Sequence, residues 1–140
     1  MSHSRVPTIA EAGRAALGLV YAGGALVHLQ FWLTNHGVYA EITPFIRFEW
    51  YESAWIEFVV PNLGVLLPLL AVFEIAVALA LFSGRYARWG LSLGAAFNIA
   101  IAPLGFWWPA NVALAALHLA LLRFEYADST TDVVKRRLAT

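Results

Sequence analysis

The sequence predicts an all-α integral membrane protein, a four-helix bundle with an interfacial amphipathic helix between helices 1 and 2. Three observations lead there. Apolar types make up 61% of the 140 residues and charged types only 13%, about half the charged share of a soluble domain. Four apolar runs recur along the chain, each close to the roughly 20 residues that cross a hydrocarbon core. The basic residues gather beside alternate ends of those runs, as the positive-inside bias requires.

The first run, Ala15–Thr34, follows a short polar segment, Met1–Gly13, with Arg5, Glu11 and Arg14 at its edge. A signal peptide has a shorter apolar region and a small-residue cleavage site. This run instead ends in Phe31 and Trp32, residues suited to a membrane interface, and reads as a retained first helix. The connection from Asn35 to Glu57 is too polar to span. Thr43 followed by Pro44 reads as a helix start, with Thr as the N-cap and Pro at the first helical position. Beyond it Phe48, Tyr51, Trp55 and Phe58 share one face and Glu49, Ser53 and Glu57 another. That pattern predicts a helix lying in the headgroup region with its aromatic side down.

The second helix is expected over about 58–83. Pro68 deletes a backbone hydrogen bond to the Gly64 carbonyl and predicts a kink. Gly84 suits a helix C-cap. The third helix is expected over about 87–106, and residues 105–109 form a tight hairpin with Trp107 and Trp108 at the interface. Pro109 opens the fourth helix, about 109–125, and 126–140 is a polar tail.

Arg5 and Arg14 precede the first helix, Arg85 and Arg88 follow the second, and Arg123, Lys135, Arg136 and Arg137 follow the fourth. Only Arg47 falls on the other side, among Glu41, Glu49, Glu52 and Glu57. All clusters ask for one face, so both termini are expected in the cytoplasm of a multi-pass cell-membrane protein. Lys135–Arg137 would sit against anionic headgroups.

Glu74 lies near the middle of the apolar run from Pro61 to Gly84, where a carboxylate costs a few kcal/mol unless it has a partner, a proton or a task. Counting rise per residue from the nearest basic residue puts Glu74 about 16 Å deep and Asn98 about 15 Å. His28 comes out near 21 Å, and His118 only about 8 Å from Arg123, near the depth of Tyr21. Glu74 with Asn98 and His28 is therefore the expected ligand or proton site, and His118 with Tyr21 a secondary polar pair. Each lies on a stripe of small residues, such as Gly90, Gly94, Asn98 and Ala102, which lets backbones approach and points the stripe into the bundle. Asn98 and His118 fit interhelical packing better than function. Glu74 fits function slightly better, because glutamine would serve packing alone. Asn35, His36 and Glu41 fit a solvated loop better than the mouth of a site.

Several chemistries are excluded or disfavoured. Without cysteine there are no disulfides, thiolate metal sites or thiol redox steps. The basic residues form no stripe suited to nucleic acid. A haem shared by His28 and His118 needs both at one depth, and they differ by about 13 Å. Glu74 and His28 offer fewer ligands than a dedicated zinc site.

The pattern resembles the DoxX-like family of small four-helix membrane proteins. The likeness rests on Gly24 one turn before His28, on LAVFEIAVALALFSGRYARWG with its central Glu74 and terminal Gly84, and on the short basic turn of Arg85 and Arg88. It covers roughly 18–124, and departs from the family in carrying Ala76, Ala78 and Ala80 where a glycine-rich stretch is usual. Members are similar to a subunit of a thiosulfate–quinone oxidoreductase, and others are linked to oxidative-stress complexes. The resemblance implies a quinone-side or proton-side role for Glu74 and His28. The expected function is an accessory or anchoring subunit of a membrane redox system, in contact with quinone and a membrane protein partner or a second copy of itself. The alternatives are a small proton-coupled transporter centred on Glu74 and a purely structural membrane partner.

Overall fold

The computed structural model describes residues 6–105 and 107–139. Arg5 of the N-terminal basic cluster and Phe106 of the expected hairpin lie outside the described residues. Every regular element among the described residues is helical. Helix α1 (Thr8–Thr34) is followed by a 3₁₀ segment, His36–Phe45, and by α2 (Glu49–Ala54). A π turn (Trp55–Val59) and a short 3₁₀ turn (Val60–Asn62) carry α2 straight into α3 (Leu63–Phe82). Then come α4 (Ala87–Ile101), a 3₁₀ turn (Ala102–Leu104), α5 (Trp108–Leu121) and α6 (Thr130–Leu138). Two of these helical stretches are long and apolar enough to cross a membrane: Thr8–Thr34, with 27 residues, and Glu49–Phe82, with 34.

Helix α1 packs on α3, α3 on α4, and α4 on α5, with a smaller contact between α1 and α5. The buried residues of α1 are Ala10, Arg14, Leu17, Gly18, Tyr21 and Ala25, a stripe at helical spacing that makes one face of the helix the core face. Small residues set the close approaches. A Cβ on Gly18 would come within 2.7 Å of the Phe82 ring, and one on Gly90 within 3.0 Å of the Leu81 backbone. The outside is apolar as well. Leu19, Leu26, Leu33, Val65, Leu69, Val72 and Leu79 are each more than half exposed.

One end of the molecule is clasped by a buried arginine. Arg14 is 0% exposed; it pairs with Glu11 at 2.6 Å and donates to the carbonyls of Leu81 (2.7 Å) and Asp128 (3.2 Å). Its guanidinium also lies 4.8 Å from the centre of the Tyr126 ring. Leu81 is in the last turn of α3, so Arg14 caps a helix C-terminus with a cation. Tyr126 donates to the Leu121 carbonyl at 3.1 Å, and burial pushes its phenol up to about 12, so it remains a neutral donor. Gly84 completes the clasp, since a Cβ there would meet the Asp128 carbonyl at 2.5 Å. The start of α1, the α3–α4 turn and the α5–α6 connection thus meet at one end, and Arg14 is an internal tie between them.

At the opposite end the Arg47 amide donates to the Pro103 carbonyl at 3.1 Å, and the Arg47 guanidinium lies over the Trp108 ring at 4.6 Å. Gly105 has φ +86°, and its α-carbon lies against the Phe45 carbonyl, where a side chain could not fit. Pro68 leaves the Gly64 carbonyl without its helical partner; the Trp32 indole supplies one from α1 at 2.8 Å, and α3 continues through the proline.

Three expectations are corrected. Thr43 and Pro44 do not start a helix: they lie in the 3₁₀ segment, where the Thr43 hydroxyl donates to the Ala40 carbonyl at 2.7 Å. The helix begins at Glu49 and runs on into α3. The aromatic face is divided: Trp55 is buried and donates to the Tyr39 carbonyl at 3.1 Å, and Tyr51 donates to the Ala100 carbonyl at 3.0 Å, while Phe48 and Phe58 stay exposed. The polar tail is partly helical. Ser129 caps α6, its hydroxyl oxygen accepting from the Asp132 amide at 3.2 Å, an arrangement related to a capping box.

Candidate functional site

Glu74 sits midway along α3 and is 5% exposed. It reaches α1 at Gly24, where a Cβ would stand 2.7 Å from its Oε1; a glycine one turn before His28 is what lets the carboxylate lie against the α1 backbone. Oε1 is 3.5 Å from His28 Nε2. The other oxygen, Oε2, is buried and meets no hydrogen-bond partner among the described residues. His28 Nδ1 is hydrogen-bonded to the Tyr39 hydroxyl. The three side chains therefore form a hydroxyl–imidazole–carboxylate series, Tyr39 to His28 to Glu74. It starts on the 3₁₀ segment, passes through the C-terminal part of α1 and ends inside α3.

Asn98 does not join Glu74 as the depth count suggests. Its Nδ2 donates to the Tyr21 hydroxyl oxygen at 2.9 Å and to the Gly94 carbonyl at 2.8 Å, and the Tyr21 hydroxyl in turn donates to that carbonyl at 3.1 Å. His118 packs edge-on against Tyr21, with ring centres 5.7 Å apart. Its Nδ1 donates to the Leu114 carbonyl at 2.7 Å, which leaves Nε2 as a buried nitrogen without a partner. Gly94 makes room for the group: a Cβ there would collide with the His118 ring and stand 2.8 Å from the Tyr21 hydroxyl. The secondary pair, Tyr21 and His118, is thus in contact, and Asn98 belongs with it.

A cavity of about 280 Å³ lies between the two groups, near the lower end of the size range of small-molecule sites. Glu74, His28, Tyr39, Asn98, Tyr21 and Asn111 contribute the polar wall, and Trp55, Leu63, Leu66, Leu67, Leu70, Phe97 and Leu114 are among the apolar lining. Tyr39, Trp55 and Asn111 are the residues that sequence reasoning missed. Asn111 was detectable in principle as a buried amide in the first turn of an apolar helix. Tyr39 gave no signal, because nothing local shows that the connection folds back over α1. Asn35, His36, Gln30 and Glu41 are exposed and do not line the cavity. Among the described residues no group of three His, Asp or Glu side chains stands close enough together to hold a metal ion.

No protein-family profile matches the chain, and neither a curated protein nor a solved structure does. Fold and site together define an all-helical protein with two stretches of membrane-crossing length and a largely apolar cavity whose wall includes a carboxylate with one unpaired oxygen.

Proposed function

We propose that the chain is a multi-pass membrane protein of the DoxX-like kind, an accessory or anchoring subunit of a quinone-linked redox system, and that its cavity receives the quinone ring. The single observation that carries this is Glu74, a carboxylate with one unpaired oxygen, in the wall of a cavity lined mostly by leucine, phenylalanine and tryptophan. Lipophilic redox carriers have an apolar body and a few polar atoms on a ring, and pockets for such molecules pair apolar walls with few polar groups. The sequence resemblance points the same way.

In this reading α1, the run from Glu49 to Phe82, α4 and α5 cross the bilayer as a four-helix bundle. The apolar exterior supports it, and so does the gathering of Arg85, Arg88, Arg123 and the α6 basic residues at the Arg14 end, which is then cytoplasmic together with both termini. Helix α5 has 14 residues and rises about 21 Å. The bilayer thins there, with Trp107 and Trp108 at its edge. The working partner is a membrane oxidoreductase subunit or a second copy of the chain.

Protein purified from membranes in mild detergent and extracted with solvent is expected to yield close to one quinone per chain, and the Glu74→Gln variant several-fold less. Absence of quinone from the wild type would overturn the reading. A second reading, a proton-coupled permeation unit, is favoured by the Tyr39–His28–Glu74 series, whose members suit proton transfer in a membrane. It predicts a proton flux in vesicles that Glu74→Gln abolishes. A purely structural partner would show neither.

A further inference from the structure

We infer that the ligand is a ring carrying a long apolar chain, with the ring in the cavity and the chain leaving sideways between α1 and α5, past Val20; this rests on the quinone reading above. Among the described residues that line the cavity, Val20 alone is exposed, at 52%, and the rest are buried or half-buried. The cavity wall therefore reaches the surface at Val20, near the middle of α1. In a bilayer that is the depth of the acyl chains, not of the headgroups. The volume of about 280 Å³ holds a substituted ring, and a long chain attached to it has to lie outside.

The helix register shows why a seam exists there. Helix α5 runs antiparallel to α1, from Trp108 beside Arg47 to Leu121 beside Gly13. A Cβ on Gly13 would meet the Leu121 side chain at 3.4 Å, so the two helices touch near the Arg14 end. Seven residues along α1 the same face presents Val20, and seven back along α5 the facing position is Leu114. Both of these residues line the cavity, so here the helices stand on either side of it. The turn that follows Val20 contains Gly23 and Gly24, and a Cβ on Gly23 would meet nothing within 4 Å. The contact between α1 and α5 is accordingly far slighter than those of α1 on α3, α3 on α4 and α4 on α5. The end of the cavity away from Arg14 is closed instead. Trp55 is buried there and donates to the Tyr39 carbonyl, and the Tyr39 hydroxyl is hydrogen-bonded to His28. The way past Val20 is apolar throughout, which suits a hydrocarbon chain that gains nothing from leaving the lipid.

The test is titration calorimetry of the purified wild-type protein and of Val20→Trp, in one detergent, with trimethylbenzoquinone and with the same ring carrying a decyl chain. In Val20→Trp the decyl compound is expected to bind about tenfold more weakly, and the bare ring to within about twofold of the wild type. Equal binding of the decyl compound by both proteins, or an equal loss for both ligands, would overturn the inference and leave the quinone reading standing. So would a wild type that binds the bare ring and not the decyl compound. Binding of neither by the wild type would overturn both. Should Val20→Trp not fold, Val20→Cys decides: the chain has no cysteine of its own, so a maleimide reports on this position alone. The decyl compound should then slow labelling several-fold and the bare ring much less. Equal labelling rates with the two ligands would overturn the inference.

Discussion

Two buried ionisable side chains, Arg14 and Glu74, show what separates a structural charge from a site. Arg14 is 0% exposed, and the fold surrounds it with a carboxylate, two backbone carbonyls and an aromatic face. Glu74 is 5% exposed, lines a cavity and meets one imidazole nitrogen at 3.5 Å, while its second oxygen is buried without a partner among the described residues. A protein that wanted only a tie between α1 and α3 has built one at Arg14, where every guanidinium nitrogen has a partner. At Glu74 the same helices are joined by a longer contact and an unmet acceptor. Burial alone does not mark function; burial with incomplete satisfaction next to open space does.

The comparison breaks most visibly at Arg14. Arg14→Met should lower stability by about 3–5 kcal/mol, because it strands Glu11 and the Leu81 carbonyl, and thermal unfolding in detergent would read it. Gly94→Ala comes next. Its methyl group would drive into His118 and Tyr21, a loss of about 1–3 kcal/mol by overpacking. Tyr21→Phe should cost about 1 kcal/mol, the price of hydrogen bonds to Gly94 and Asn98. Glu74→Gln is expected to move stability by less than about 1 kcal/mol, since an amide fills the same space and leaves less desolvated charge, while retained quinone falls several-fold. A large loss of stability there would make Glu74 a second Arg14.

The smallest effect is at α6. The Ser129 hydroxyl, hydrogen-bonded to Asp132, holds that carboxyl below its ordinary range. A depressed folded value means the cap stabilises α6 above the unfolded value of 3.8 and loses that contribution as pH falls through the folded value. Helical circular dichroism between neutral and strongly acidic pH should show a small loss in the wild type that is absent in Ser129→Ala.

Much of this was legible in the residues, for a physical reason. Helix existence follows from composition, and the structure brings residues near 14, 84 and 128 together at one end of the molecule. Glu74 with His28 was legible because Gly24 leaves a gap of the right size one turn away. Asn98 lines the cavity with Glu74 and His28, but rise per residue gives depth and not azimuth, and its amide is hydrogen-bonded to Tyr21 and Gly94 rather than to Glu74. Arg14 read as a flanking charge, although Glu11 three residues before it was the visible sign of a held side chain. Thr43–Pro44 misled because the same pair that caps an α-helix also suits a 3₁₀ run. The α6 cap was readable in Ser129 and Asp132 and was outweighed by the polarity of the tail.

The most direct test of the central claim is an infrared difference spectrum of the purified protein with and without trimethylbenzoquinone. The account predicts a carboxyl band that moves when the ligand binds and is missing in Glu74→Gln. Ligand binding that leaves every carboxyl band of the wild type in place would contradict it.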